Sequence, residues 1–267
     1  MSGNAHRSRR RSTPRNSSWD RVAGWYDGWV GDRGSKYHRA LAIPAVLDLL
    51  EARADERILD IGAGQGVLAP YVVECGAHYT GVDASPRLIA AARRRHGHLA
   101  RFAVGDARAL HLVHGVHGGS YDAAVFLLSI QDMDPLEPVL VSAAWALRPS
   151  GRIVMLMTHP AFRQPRHSGW GYDETRKLQY RRVDAYLSPM AVPMKSLGRA
   201  APTLAFHRPI SSYVNALAAV GFAVDAMLEL ADLSPDARPR PSKRAFAQAD
   251  AEIPLFLGLR AVRSQEM

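Results

Sequence analysis

A buried strand that runs directly into a glycine-rich turn constrains this chain more than any other feature. Residues 57–61 (Arg-Ile-Leu-Asp-Ile) read as a short apolar strand, and Gly62-Ala63-Gly64-Gln65-Gly66 follows at once. Glycine adopts backbone angles that other residues avoid and lets a ligand approach the main chain closely. Residues 67–74 continue as a helix, so the turn joins a strand to a helix. The alternation repeats downstream, with strands expected over 79–83, 100–106, 123–129 and 152–157 and helices over 85–95 and 135–147. Ser85 followed by Pro86 is a helix start, a side-chain cap with proline at the first position. Strands alternating with helices predict a parallel sheet covered on both faces.

After Thr158 this pattern is lost. Residues 159–208 carry many prolines and aromatic side chains without a clear period, and short strands are expected over 180–187 and 203–207. The alternation resumes with a helix over 210–220, Gly221 as its C-cap, and a strand over 222–230. A Pro- and Arg-rich loop over 232–245 and a last apolar strand over 254–262 complete the chain. Upstream, residues 19–55 read as two helices with a break near Gly31 to Gly34. The expected organisation is a tail (1–18), an N-terminal helical cap (19–55), a core (56–158), an insertion (159–208) and a return to the core (209–267).

The formal charge of +9 is unevenly placed, because Arg7, Arg9, Arg10, Arg11 and Arg15 lie in the first 18 residues with no acid among them. That segment reads as a disordered tail. The body has no comparable basic block, which argues against nucleic acid as a partner. No apolar run reaches the ~18 residues of a membrane span, and no apolar stretch of a secretory signal follows the basic start. Cys75 is the one cysteine, which favours a reducing, cytoplasmic setting.

The turn has acidic companions. Asp83 ends the second strand, 21 residues after Gly62, where a carboxylate accepts hydrogen bonds from ribose hydroxyls. Asp106 ends the third strand. Together they point to an adenosine ligand. A nicotinamide dinucleotide fits less well: its G-x-G-x-x-G fingerprint puts the last glycine one position beyond Gly66, where Val67 stands. Asp60, just before the turn, also suits a cationic amino group better than a pyrophosphate. ATP requires a lysine in the turn, and the turn has none.

Five ordered segments resemble the successive motifs of class I S-adenosylmethionine-dependent methyltransferases. They are Asp60-Ile61-Gly62-Ala63-Gly64-Gln65-Gly66, Gly81-Val82-Asp83-Ala84-Ser85, Gly105-Asp106-Ala107, Tyr121-Asp122 and Leu147-Arg148-Pro149-Ser150-Gly151. The resemblance is strong over 55–158 and weak over 209–262, and Ser150 stands where the family usually has glycine. It implies an α/β, Rossmann-like, seven-stranded and mostly parallel sheet whose final strand is antiparallel. It also implies S-adenosyl-L-methionine as cofactor. By that resemblance Gly62, Ala63, Gly64 and Gly66 approach the methionine part, with Asp60 beneath. Asp83, next to Ala84, binds the ribose. Asp106 and Ala107 flank adenine, and Leu127, Leu128 and Ile130 line the adenine and sulfonium end.

Candidates for contact with a methyl acceptor come from several places: Gln131 after the fourth strand, His159 after the fifth, Tyr26 and His38 from the N-terminal helices, and His207 at the end of the insertion. Histidine titrates near neutrality and can act as a base, although positioning alone supplies much of the acceleration in such transfers. The Asn/Asp-Pro-Pro-aromatic motif of nucleic-acid amino methyltransferases is absent from 129–132. Thr158-His159 replaces the Asp-Asn pair of metal-assisted, catechol-type enzymes, so no catalytic metal is expected. His111, His114 and His117 lack an acidic companion and read as polar surface. The insertion, with Trp170, Tyr172, Tyr180 and Tyr186, reads as a lid over a small apolar or aromatic molecule. The expected function is methyl transfer to an O, N or C nucleophile of such a small-molecule acceptor. Two alternatives stand beside it: an RNA- or protein-modifying methyltransferase using the Arg-rich tail, and a cofactor-binding protein without methyl transfer.

Overall fold

The computed structural model describes residues 18–194, 203–232 and 243–264. A 3-10 turn (Ser18–Arg21), α1 (Ala23–Val30), a π-helical turn (His38–Ala42) and α2 (Ile43–Leu50) precede the first strand. Strands and helices then alternate: β1 (Arg57–Ile61), α3 (Ala69–Glu74), β2 (His78–Asp83), α4 (Pro86–His96), β3 (Arg101–Val104), β4 (Tyr121–Leu127), α5 (Leu136–Ala146) and β5 (Leu147–Thr158). Two antiparallel hairpins follow. The first is β6 (Ser168–Asp173) with β7 (Leu178–Val183), the second β8 (Met190–Pro193) with β9 (Leu204–His207). The chain ends with α6 (Ile210–Ala219), β10 (Phe222–Ala231), α7 (Lys243–Glu252) and β11 (Pro254–Arg263).

Seven strands form one sheet in the order β10-β11-β5-β4-β1-β2-β3. β1 to β5 pair in parallel, and β11 runs antiparallel to both β5 and β10. Successive side chains on a strand point to opposite faces, so a central strand buried on both must be apolar almost throughout. On one face Leu59, Ile61, Phe126, Met155 and Met157 pack with Val139 and Leu140 of α5 and Leu217 of α6. On the other, Ile58, Val125, Val154 and Leu156 pack with Val46 and Leu50 of α2, Val72 of α3 and Ile89 of α4. Asp60 has the parity of Ile58, and it is the exception to the apolar rule: a carboxylate only 1% exposed in the middle of a core. Because β1, β2 and β4 are parallel, their carboxyl ends meet at one sheet edge, where open α/β sheets bind ligands.

The expected seven-stranded arrangement is the one observed, including the antiparallel last strand. Local differences have physical causes. Ser85 caps α4 through a hydrogen bond from the Leu88 N–H (3.2 Å). The helix expected over 36–52 is a π turn leading into α2, stopped by Glu51 in the left-handed region (φ 46°). The described part of the insertion holds two hairpins; residues 195–202 lie outside the described residues. Strands β6 and β8 went unforeseen because each depends on a partner strand rather than on a local period, and β7 ends at Val183 rather than near 187. The loop expected over 232–245 gives way to α7 from Lys243; residues 233–242 lie outside the described residues. The basic tail also lies outside them, apart from Ser18. Among the described residues no helix is long and apolar enough to cross a membrane.

Candidate active site

The turn after β1 is stitched to the end of β2. The N–H groups of Gly62 and Ala63 both donate to the Val82 carbonyl (2.8 and 3.0 Å), and the Gly64 N–H donates to Asp83 Oδ2 (2.9 Å). Glycine is required sterically as well as conformationally. Gly62 and Gly66 have φ of 80° and 79°, a region costly for L residues. A Cβ at Gly62 would meet the Ser129 Cβ at 2.5 Å, and one at Gly66 would meet the Phe102 ring at 2.7 Å. The main chain of the turn is therefore packed closely against Ser129 and Phe102, with Gly62 half-buried and residues 63–66 buried. Above it stands Tyr26 of α1, whose ring would be 3.6 Å from a Cβ on Gly64.

Three carboxylates surround this point. Asp60 Oδ2 accepts from the Tyr79 hydroxyl (2.6 Å), while its Oδ1 is buried with no partner among the described residues. Burial pushes the Asp60 pKa up to about 7, against the lowering effect of Tyr79, with the Asp83 charge adding to the rise. Asp83 takes the N–H groups of Gly64 and Ser85, one on each oxygen. Its pKa is nevertheless raised, chiefly by burial. Asp132, just after β4, is held by the Trp19 side chain, and burial and Asp83 push its pKa well above the usual range. The same three acids, together with burial, raise the Tyr26 pKa. None of the three is in an ion pair among the described residues, and the charges acting on them are carboxylates. This is a place short of positive charge, since buried anions are stable when a cation faces them. S-adenosylmethionine, with an ammonium and a sulfonium, fits that deficit; a dinucleotide pyrophosphate would add to the repulsion. Asp132 and Trp19 were not among the expected binding residues. The signal for Asp132 was its position just past the fourth strand.

The other expected residues are spread more widely. Asp106 caps the short helical turn after β3 through the Arg108 N–H and is paired with the Arg108 guanidinium (2.6 Å), which lowers its pKa; Ala107 follows it. Ala84 is exposed beside Ser85, whose hydroxyl donates to Asp20 (2.7 Å). Leu127 ends β4, and Leu128 has a positive φ of 52°, which turns the chain away from the strand. Ile130 is fully buried in the α5 core. Gln131 Nε2 donates to the Leu128 carbonyl (2.7 Å), and its Oε1 is buried without a partner.

The three candidate histidines, His38, His159 and His207, each make an internal hydrogen bond. His38 bonds Ser35 Oγ through Nδ1 (2.8 Å), and burial lowers its pKa to about 4. His159 Nδ1 accepts from the Ala161 N–H (3.2 Å), so Nε2 carries the proton and donates to Glu229 (2.9 Å). Burial lowers its pKa as well. In this arrangement His159 braces β10 against the end of β5, with neither nitrogen open. His207 Nε2 meets the Tyr186 carbonyl (2.7 Å), and its pKa is lowered by burial. Tyr26 and the turn are thus brought together with Asp60, Asp83 and Asp132, whereas His159 and His207 lie toward the insertion.

The geometry agrees with the comparisons. Residues 58–151 match the family model described as "Methyltransferase domain". The seven-stranded sheet has the fold of S-adenosylmethionine-dependent methyltransferases. The chain is 25% identical to an S-adenosylmethionine-dependent methyltransferase from Mesorhizobium loti, covering 82% of this chain and 96% of that one with a TM-score of 0.66. It is 32% identical over 117 residues to the demethylmenaquinone methyltransferase of Tropheryma whipplei, covering 43% of this chain and 48% of the relative. It is 28% identical over 144 residues to the ubiquinone biosynthesis O-methyltransferase of Xylella fastidiosa, covering 52% of this chain and 58% of the relative. The chain thus spans about half the length of the curated relatives it matches.

Proposed function

We propose that the protein transfers a methyl group from S-adenosylmethionine to an O, N or C nucleophile of a small aromatic molecule. The observation that carries this reading is the cluster of Asp60, Asp83 and Asp132 around the glycine turn, three carboxylates without a cation. The bound cofactor supplies an electrophilic methyl on a positively charged sulfur. Asp83 holds the ribose hydroxyls, while Asp60 and Asp132 balance the positive charge. Gly62 to Gly66 let the ligand lie against the backbone, and Tyr26 closes over it from α1. Gln131 and the end of β4 face the transferable methyl. The small aromatic acceptor is supported by the names of the two curated relatives and by the aromatic side chains of the insertion.

Calorimetry with S-adenosylhomocysteine and with NADH tests the cofactor. The first should bind and raise the melting temperature, because ligands that bind only the folded state stabilise it. Incubation with methyl-labelled cofactor and whole-cell extract, read by mass spectrometry, tests the transfer. A labelled small product is expected. Binding of NADH in place of S-adenosylhomocysteine, or label found only in RNA or protein, would overturn the proposal.

A further inference from the structure

Resting on that reading, we infer that the methyl acceptor carries an anionic group, a carboxylate or similar oxyanion, which docks on Arg163 and Arg181 beneath the first hairpin of the insertion. The inference begins with the hairpin's register. Trp170 pairs directly with Arg181, and Tyr172 with Gln179. Residues directly opposite in an antiparallel pair share a face, as do residues two apart on one strand. One face of the hairpin therefore carries Trp170, Tyr172, Gln179 and Arg181. It is the inner face, since Gln179 is only 4% exposed while Tyr180 and Arg182 are exposed on the other side.

Arg163 rises to meet this face from the turn after β5. Its N–H donates to the His159 carbonyl (2.8 Å), so it stands one turn beyond the strand end. Both guanidinium carbons lie over the Trp170 ring, 5.2 Å (Arg163) and 5.1 Å (Arg181) from its centroid. Their hydrogen bonds go to neutral acceptors alone: Arg163 to the carbonyls of Pro254 and Ile253, Arg181 to the Phe162 carbonyl and the Ser168 hydroxyl. Among the described residues neither is in an ion pair. Asp232 and Asp250 lie near enough to favour the charged form of Arg163, but the charge acting on Arg181 is Arg163, which repels it. Burial and that repulsion hold the Arg181 pKa down to about 10.

A second, independent feature points to a ligand. Gln164 is 3% exposed, and among the described residues neither its side-chain nitrogen nor its oxygen has a partner; Gln179 Oε1 lacks one there too. Buried polar groups are almost always satisfied, so Gln164 has hydrogen-bonding capacity left for a bound molecule. Two half-buried guanidiniums on an aromatic ring, with an amide donor nearby, are the components that recognise a planar oxyanion attached to a ring. The position suits an acceptor, since it adjoins the end of β5. The apolar pocket expected from the insertion's aromatics therefore has a charged end.

The test uses the full chain with S-adenosylhomocysteine present, titrated calorimetrically with benzoate and, separately, with benzyl alcohol. Benzoate should bind and benzyl alcohol should not. Arg181→Gln and Arg163→Gln should each weaken benzoate at least about tenfold, the loss expected for a charge-assisted pair. Arg181→Lys, which keeps the charge, should recover part of the affinity. S-adenosylhomocysteine should bind all three variants as it binds the wild type, showing that they are folded. Equal or absent binding of both aromatics, or benzoate affinity untouched in both Gln variants, would overturn the inference. Failure of S-adenosylhomocysteine to bind the wild type would instead overturn the proposed function, since the benzoate arm reads this site by itself.

Discussion

Asp60→Asn should make the ligand-free protein more stable and its cofactor binding weaker, an opposition that follows from the buried carboxylate. Asn keeps an oxygen for the Tyr79 hydroxyl but carries no charge. The folded pKa of Asp60 is raised to about 7, against about 3.9 in an unfolded chain. Between those values the native state binds more protons than the unfolded state, so stability falls as pH rises through this window. By about pH 8 the loss is complete, and at about 1.4 kcal/mol per pH unit it reaches about 4 kcal/mol at most. The variant lacks this loss. At a few degrees per kcal/mol for a chain of this size, its melting temperature should exceed the wild type's by about 10 °C near pH 8.5 and by about 4 °C near pH 5. Asp83 and Asp132 add pH dependence of the same sign, so the difference between the two proteins, not the wild-type curve, is the measurement. Calorimetry should then show S-adenosylhomocysteine bound about 10 to 100 times more weakly by the variant, the cost of losing a charged partner for its ammonium. Parallel melting curves from pH 5 to 9, or unchanged affinity, would refute the account of Asp60.

Asp83→Ala should weaken S-adenosylhomocysteine about 5- to 100-fold in calorimetry and also lower the melting temperature, because Gly64 and Ser85 lose the acceptor for their N–H groups. A folded variant with wild-type affinity would remove Asp83 from the ribose site. Gly66→Ala should destabilise by about 2–4 kcal/mol in urea unfolding, combining a strained φ with an overlap against Phe102; a change below about 1 kcal/mol would contradict the packing described.

The parts of the molecule legible in the sequence are those encoded locally. β1, the glycine turn and Asp83 lie within one strand-helix-strand unit, and the alternation that predicts a parallel sheet is a short-range pattern. The hairpins were only half legible: a strand near 180 and one over 203–207 were expected, but Ser168–Asp173 holds two glycines and becomes a strand only by pairing with Leu178–Val183. His159 shows the same limit at a single residue. Its place at the end of a strand was evident, but the group that engages its Nε2 is Glu229, on β10, which no local pattern brings near it. Asp132 was visible as an acid after the fourth strand; that it shares a cluster with Asp60 and Asp83 depends on β4 lying beside β1 in the sheet.

The carboxyl edge of the sheet carries two charges of opposite sign at two places, and their separation follows from the strand order. The carboxylates belong to β1, β2 and the segment after β4. The guanidiniums belong to the turn after β5 and to the hairpin above it, and Arg163 is tied to the carbonyls of Ile253 and Pro254 at the start of β11. Since the order is β11-β5-β4-β1-β2, the negative group lies toward one side of β4 and the positive group toward the other. Neither group neutralises the other through an ion pair among the described residues. Interactions of buried charges are much less screened than those at the surface. A cation is therefore favoured over the glycine turn and an anion beneath the hairpin. On the reading proposed above, an acceptor with an anionic end would be oriented by this field, its opposite end toward β4, where the bound cofactor would offer its methyl. Orientation of this kind needs no base, and it is consistent with a His159 whose two ring nitrogens are already occupied.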